Sequence, residues 1–312
     1  MAESSVGGYT QGVALTPISQ INQALKTLNP NHVREMAERP ITLGVLAADD
    51  AFAADIFSFL LPSDLSDDRM REAGKRILRV AEEADFERAT LGLSEPGVPH
   101  PAHFYRFDRR DLDKVVRQIL KAHPEDALAL SRWFPAFRGQ AIEKIIWKVS
   151  RENALFTVTT AMPNVVPSVI SLPWAAGEFA SDTAFLTMNQ VRMAFLIAAA
   201  SDADVGYGDQ KGQITSIVAA AFGWRGLARQ LVGKIPAGGG LVSKGLVSFA
   251  GTYAVGKSLE KFAQHGSHLT RAERKHHYGE AYERGRGVVE AIVDRLLRRE
   301  RDAGAAPLTS HA

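Results

Sequence analysis

Charge is distributed unevenly along this chain, and that unevenness limits what it can fold into. Of 37 basic and 35 acidic residues, only Arg192, Lys211, Arg225, Arg229, Lys234 and Lys244, with Glu178, Asp182, Asp202, Asp204 and Asp209, fall between 154 and 256. Charged side chains are almost never fully buried unless paired. A third of the protein this poor in them is either a buried core or a lipid-facing region. Residues 154–177 carry no charge at all, a length that qualifies as a membrane-crossing segment. Pro163, Pro167 and Pro173 break any straight helix there, which favours a broken or re-entrant hairpin. A buried hairpin in a soluble domain is the alternative.

The totals exclude several classes. The chain has no cysteine, so disulfides, thiolate metal sites and a cysteine nucleophile are ruled out, in keeping with a reducing compartment. A net charge of +2 lacks the basic excess of a nucleic-acid binder, and no nucleic-acid partner is expected. The N-terminal residues lack the basic and apolar regions of a secretory signal. No G-x-S-x-G, H-E-x-x-H or isolated carboxylate pair occurs, so no catalytic residue, metal or cofactor is assigned, and the chain is read as a non-enzyme.

Hydrophobic periodicity gives the outline. Thr16-Pro17 and Asn29-Pro30 each start a short helix, and residues 1–40 form a tail with these two helices. Residues 41–47 read as a strand leading into a helix through Ile56, Phe57, Leu60 and Leu61. A helix is expected over 68–84, strands over 89–93 and 103–107, and helices over 111–122, 124–133 and 139–152. Residues 41–150 therefore make a small α/β unit running into helices. Residues 151–302 form an apolar helical domain that ends in a charged helix opened by the capping box Thr270-x-x-Glu273. Gly285 and Gly287 weaken that last helix, and residues 303–312 are a polar tail. The fold class is mainly α, with a small N-terminal α/β unit followed by an apolar helical bundle.

Several clusters carry potential chemistry. On the helix expected over 178–200, Glu178, Asp182, Asn189 and Arg192 fall in one narrow stripe on an otherwise apolar surface. Such a stripe needs polar partners, and Arg225 and Arg229, four apart on a later segment, are the candidates. It is either a lining or latch in a membrane setting or an ion-pair network fixing helix register. Gly251-Thr-Tyr-Ala-Val-Gly256-Lys257-Ser258 has the spelling of a phosphate-binding P-loop. Too little chain follows it to complete a nucleotide fold, so helix packing through Gly251 and Gly256 is the preferred reading. His265, His268, His276 and His277 read as solvated. Trp133, Phe134 and Phe137, beside Arg132 and Arg138, read as core at a helix junction rather than as base-stacking aromatics. Arg295, Arg298, Arg299 and Arg301 face either solvent or anionic lipid headgroups.

From residue 154 onward the chain resembles an uncharacterised bacterial helical domain family found C-terminal to Era-like GTPase domains and in inner-membrane proteins. The likeness rests on Pro163-Asn-Val-Val-Pro167, the run 182–200, Ala221-Phe-Gly-Trp-Arg-Gly-Leu-Ala-Arg229, Lys234-Ile-Pro236, Ala250-Gly-Thr-Tyr-Ala-Val-Gly256 and Glu283-Arg-Gly-Arg286. It covers about residues 140–290. The family has no established activity, so the likeness implies a setting and not a reaction: inner-membrane association facing the cytoplasm, with a GTPase as a possible partner. It also invites comparison of the first half with a GTPase fold. There, a strand feeds a glycine-rich loop whose amides and lysine cradle phosphate. Here the loop reads Ala48-Asp-Asp-Ala-Phe-Ala53, with no glycine or lysine and with two carboxylates. The unit is either a degenerate GTPase-like remnant or an unrelated α/β piece. The expected role is a membrane-associated module acting through lipids or a membrane protein. The alternative is a soluble cytoplasmic scaffold or homo-oligomer.

Overall fold

The computed structural model describes residues 16–162, 181–220 and 240–304. Two short helices come first. α1 (Pro17–Leu25) is capped by Thr16, whose hydroxyl accepts from the Ser19 amide, and α2 (Pro30–Ala37) is capped by Asn29. Each carries proline in its first turn, where a missing amide hydrogen costs nothing.

The α/β unit is built on four parallel strands in the order β2-β1-β3-β4: β1 (Leu43–Leu46), β2 (Ile77–Arg79), β3 (Leu91–Ser94) and β4 (Phe104–Arg106). The helices α3 (Asp50–Leu60), α4 (Asp67–Gly74), α5 (Glu83–Arg88) and α6 (Leu112–Ala122) connect and cover them. The helix expected over 68–84 is thus corrected. α4 stops at Gly74, and Ile77-Leu-Arg79 pairs with β1, the Leu43 amide already bonding the Arg76 carbonyl. Pairing with a buried neighbour strand overrides the local helical period there.

One face of the sheet buries Leu43, Val45, Leu91 and Leu93 against Ile56, Leu60, Val116 and Ile119. On the other face Gly44 and Gly92, paired across β1 and β3, make room for the Phe104 ring. A methyl group at Gly44 would lie 2.5 Å from Phe104 Cζ, and one at Gly92 would be crowded at least as badly. Gly92→Ala is expected to destabilise the protein by about 1–3 kcal/mol through overpacking. An unchanged midpoint in urea unfolding would show that the ring has space to move.

The helical half follows through α7 (Ala127–Trp133), the 3-10 turn Pro135–Phe137 and α8 (Arg138–Thr160), then α9 (Asp182–Ala200). α10 is helical over 211–220 as far as it is described, and α11 (Leu241–His265) and α12 (Arg271–Gly304) complete the chain. α8 runs unbroken through residue 150, where the sequence suggested a boundary. Its first turn joins the α/β core through Ala141, next to Phe137 of the preceding turn, and the rest enters the bundle core through Ile142, Ile146 and Val149. α8, α9, α11 and α12 share that second core. α11 lies close against α8 at Gly256, where a methyl would sit 2.6 Å from Ile146 Cγ2. α12 is continuous through Gly285, and the absence of a side chain there admits the fully buried Phe249 ring. The capping box at its start forms: Thr270 and Glu273 exchange both bonds.

Candidate functional site

In an open parallel sheet, ligands settle where the strand order reverses, beyond the strands' carboxyl ends. Here that crevice lies between β1 and β3, and the protein's own carboxylates fill it. Asp49 caps α3 by accepting from the Phe52 amide at 2.6 Å. The Ala48 amide donates to Glu95 Oε2 at 2.7 Å. Arg79 is held by the Ala47 carbonyl at 3.0 Å. Two of the amides a phosphate could use there, those of Ala48 and Phe52, are therefore committed, and Asp49, Asp50 and Glu95 make the surrounding charge negative.

The P-loop spelling lies on α11. Gly251, Gly256, Lys257 and Ser258 are all helical, so these residues form no phosphate-cradling loop. Lys257 pairs with Glu260 and, at 3.5 Å, with Glu143. Burial lowers its pKa, but those two carboxylates outweigh it and hold the ammonium above its ordinary range. Glu143 also accepts from the Tyr253 hydroxyl at 2.8 Å. Burial and this bond together push the Tyr253 phenol up.

Two members of the polar stripe of α9, Asn189 and Arg192, are engaged inside the bundle. Arg192 pairs with Glu152 of α8 and donates from Nε to Asn189 Oδ1 at 2.9 Å. Asn189 donates to Asn153 Oδ1 at 2.8 Å, Asn153 to Thr252 Oγ1 at 2.8 Å, and Gln190 reaches the same hydroxyl at 3.3 Å. The ladder thus joins α8, α9 and α11. Burial draws the Arg192 pKa down against the opposing pull of Glu152. Asp182 stands apart: it is exposed and takes a 3.2 Å bond from Thr160. Glu178, Arg225 and Arg229 lie outside the described residues. Glu152 and Asn153 were missed as members. Their signal was present, since both follow Val149 at helical spacings of three and four and so share its buried face.

A second charged cluster lies at the joint between the two cores. Asp202, just beyond α9, pairs with Arg69 of α4 at 2.5 Å and with Arg132 of α7 at 3.8 Å, and Arg138 adds its field. Burial raises the Asp202 pKa and the three arginines oppose it. Arg69 and Arg76 cover the Trp133 ring at 4.1 and 3.6 Å, while Phe134 and Phe137 are fully buried. A cleft of about 240 Å³ opens beside it, lined by Arg34, Glu38, Arg132, Asp204, Val205 and Asp209. Of the histidines, His268 stacks on Phe262 and His277 sits 3.6 Å from Glu280.

At the opposite end of the bundle, Thr160 of α8 meets Asp182 of α9. Gly245 of α11 touches Val158 of α8 and Val289 of α12, and Val218 of α10 packs near Phe156 and Phe185. α12 then continues to Gly304, about 20 Å beyond that level at 1.5 Å per residue. On this stretch Arg295, Arg298 and Arg299 are exposed and, with Ala291 and Asp294, line a shallow hollow; among the described residues no carboxylate pairs with them. Compared with known proteins, the chain matches no family model, no curated protein and no solved structure.

Proposed function

We propose that this protein is a non-enzymatic helical module that associates with the cytoplasmic face of a bacterial inner membrane and acts through lipid or protein partners. One observation carries the reading. Both charge-poor stretches of sequence leave and rejoin the described fold at the same end of the bundle, the end along which the exposed arginines Arg295, Arg298 and Arg299 of α12 lie. Residues 163–180 follow α8 and precede α9, and hold one charge, Glu178. Residues 221–239 follow α10 and precede α11, and hold three basic residues and no acid. Apolar sequence flanked by exposed basic groups suits an anionic membrane surface. The non-enzymatic part of the proposal rests on the filled crevice of the sheet and on Lys257, held by two carboxylates. The resemblance noted above adds a GTPase as the partner to look for.

A second reading, a soluble scaffold or oligomer, has its own support. α9 is long and apolar enough to cross a membrane, yet 72% of its most apolar window is buried inside the protein. Vesicle flotation separates the two. The full chain should rise with phosphatidylglycerol vesicles and less so at high salt. Arg295→Glu, Arg298→Glu and Arg299→Glu together should weaken that binding about 100-fold, at ~1 kcal/mol for each basic residue. A protein that stays at the bottom of the gradient with every vesicle belongs to the scaffold reading.

A further inference from the structure

The turn between α6 and α7 collects three potential metal ligands, His123, Glu125 and Asp126. His123 ends α6, and its Nδ1 lies 3.9 Å from Oδ2 of Asp126, the residue that begins α7. Glu125 stands between them, exposed, and one ligand atom from each of the three falls within 4.8 Å of the others. A divalent ion bound at about 2.0–2.1 Å sets tetrahedral ligand atoms about 3.4 Å apart. The His123–Asp126 gap then closes by roughly half an ångström, and the solvent-side carboxylate of Glu125 swings to meet the ion.

Two further observations point to a ligand. The other ring nitrogen of His123, Nε2, is 3.0 Å from the hydroxyl of Tyr105 on β4, so the imidazole is already oriented with Nδ1 turned toward the carboxylates. Metal-binding histidines characteristically have the second nitrogen engaged in this way. Asp126 is buried, with 8% of its side chain exposed, yet its contact to Arg39 is long, 3.4 Å, and uses Oδ1 only. Oδ2 remains turned to His123.

We propose that His123, Glu125 and Asp126 form a binding site for a borderline divalent cation such as Zn²⁺. One imidazole and two carboxylates, without thiolate, suit that class, and water completes the coordination. The ion takes Nδ1 of neutral His123, which leaves the Nε2 proton to Tyr105. It fastens the end of α6 to the start of α7, where the α/β unit passes into the bundle. This site is independent of the membrane reading.

Calorimetric titration of the full chain with Zn²⁺ alone tests it. Wild type should bind one ion per chain through this site. His123→Ala and Glu125→Gln should each weaken that binding at least ten-fold, and Tyr105→Phe by about ten-fold through loss of the orienting bond. Glu125 is exposed, so its glutamine variant tests the ligand without disturbing the core. The zinc-induced rise in Tm should shrink in parallel. His276→Ala with His277→Ala should leave the affinity unchanged. Absence of binding up to millimolar zinc overturns the proposal, as does a Glu125→Gln and a His123→Ala variant that both bind like wild type.

Discussion

Arg192→Leu is expected to cost the fold about 3–5 kcal/mol, because it leaves the carboxylate of Glu152 buried without its cation. The pair is well hidden, with 13% of the arginine and 10% of the glutamate side chain exposed. The damage extends past the ion pair: Asn189 loses the donor on its Oδ1, one step into the ladder that reaches Thr252. A partly satisfied buried network is worse than an apolar one. Glu152→Leu combined with Arg192→Leu should therefore recover much of the loss, since it removes both charges at once. Urea unfolding of wild type, both single variants and the double variant measures the coupling. If the single Arg192→Leu variant unfolds at the wild-type midpoint, the ladder is not a structural element of the bundle.

The same ladder marks how far the sequence could be read. That α9 bears a polar stripe follows from residue spacing alone, because a helix repeats every 3.6 residues whatever surrounds it. Which residue answers Arg192 depends on how α8 crosses α9, and no spacing within either helix contains that. Glu152 is forty positions away in sequence. The proline-capped starts of α1 and α2, the strand at β1 and the capping box of α12 were legible because each is decided within four residues. β2 was not. Ile77-Leu-Arg79 continues the apolar period of α4, and only its place beside Leu43 to Val45 makes it a strand. The octet from Gly251 to Ser258 is the converse case, a motif whose letters match a P-loop while its place on α11 does not. Gly256 serves close helix packing, and the lysine closes an ion pair on α8. His123 escaped notice because the turn that brings it to Asp126 is set by where α6 stops and α7 begins.

Asp202→Ala should destabilise by about 2–4 kcal/mol, from two separable causes. Asp202 has φ 64°, a left-handed conformation that a non-glycine residue enters at a cost. It occupies the position after the α9 cap where glycine is usual: the Ala203 amide bonds the Ala198 carbonyl and the Asp202 amide bonds that of Ala199, the paired bonds of a Schellman ending. An aspartate tolerates this conformation better than alanine, and its carboxylate answers Arg69 and Arg132. Alanine therefore adds backbone strain and also strands two half-buried guanidinium groups. Asp202→Gly relieves the strain while still removing the charge, so it should be milder than alanine by about 1 kcal/mol and still weaker than wild type. The difference between the two variants measures the backbone term, and the remaining loss in the glycine variant measures the charge cluster. A glycine variant as stable as wild type would mean that the arginines gain nothing from Asp202. The joint between the α/β unit and the bundle would then rest on apolar packing around Phe134, Phe137 and Leu128 and on the shared helix α8.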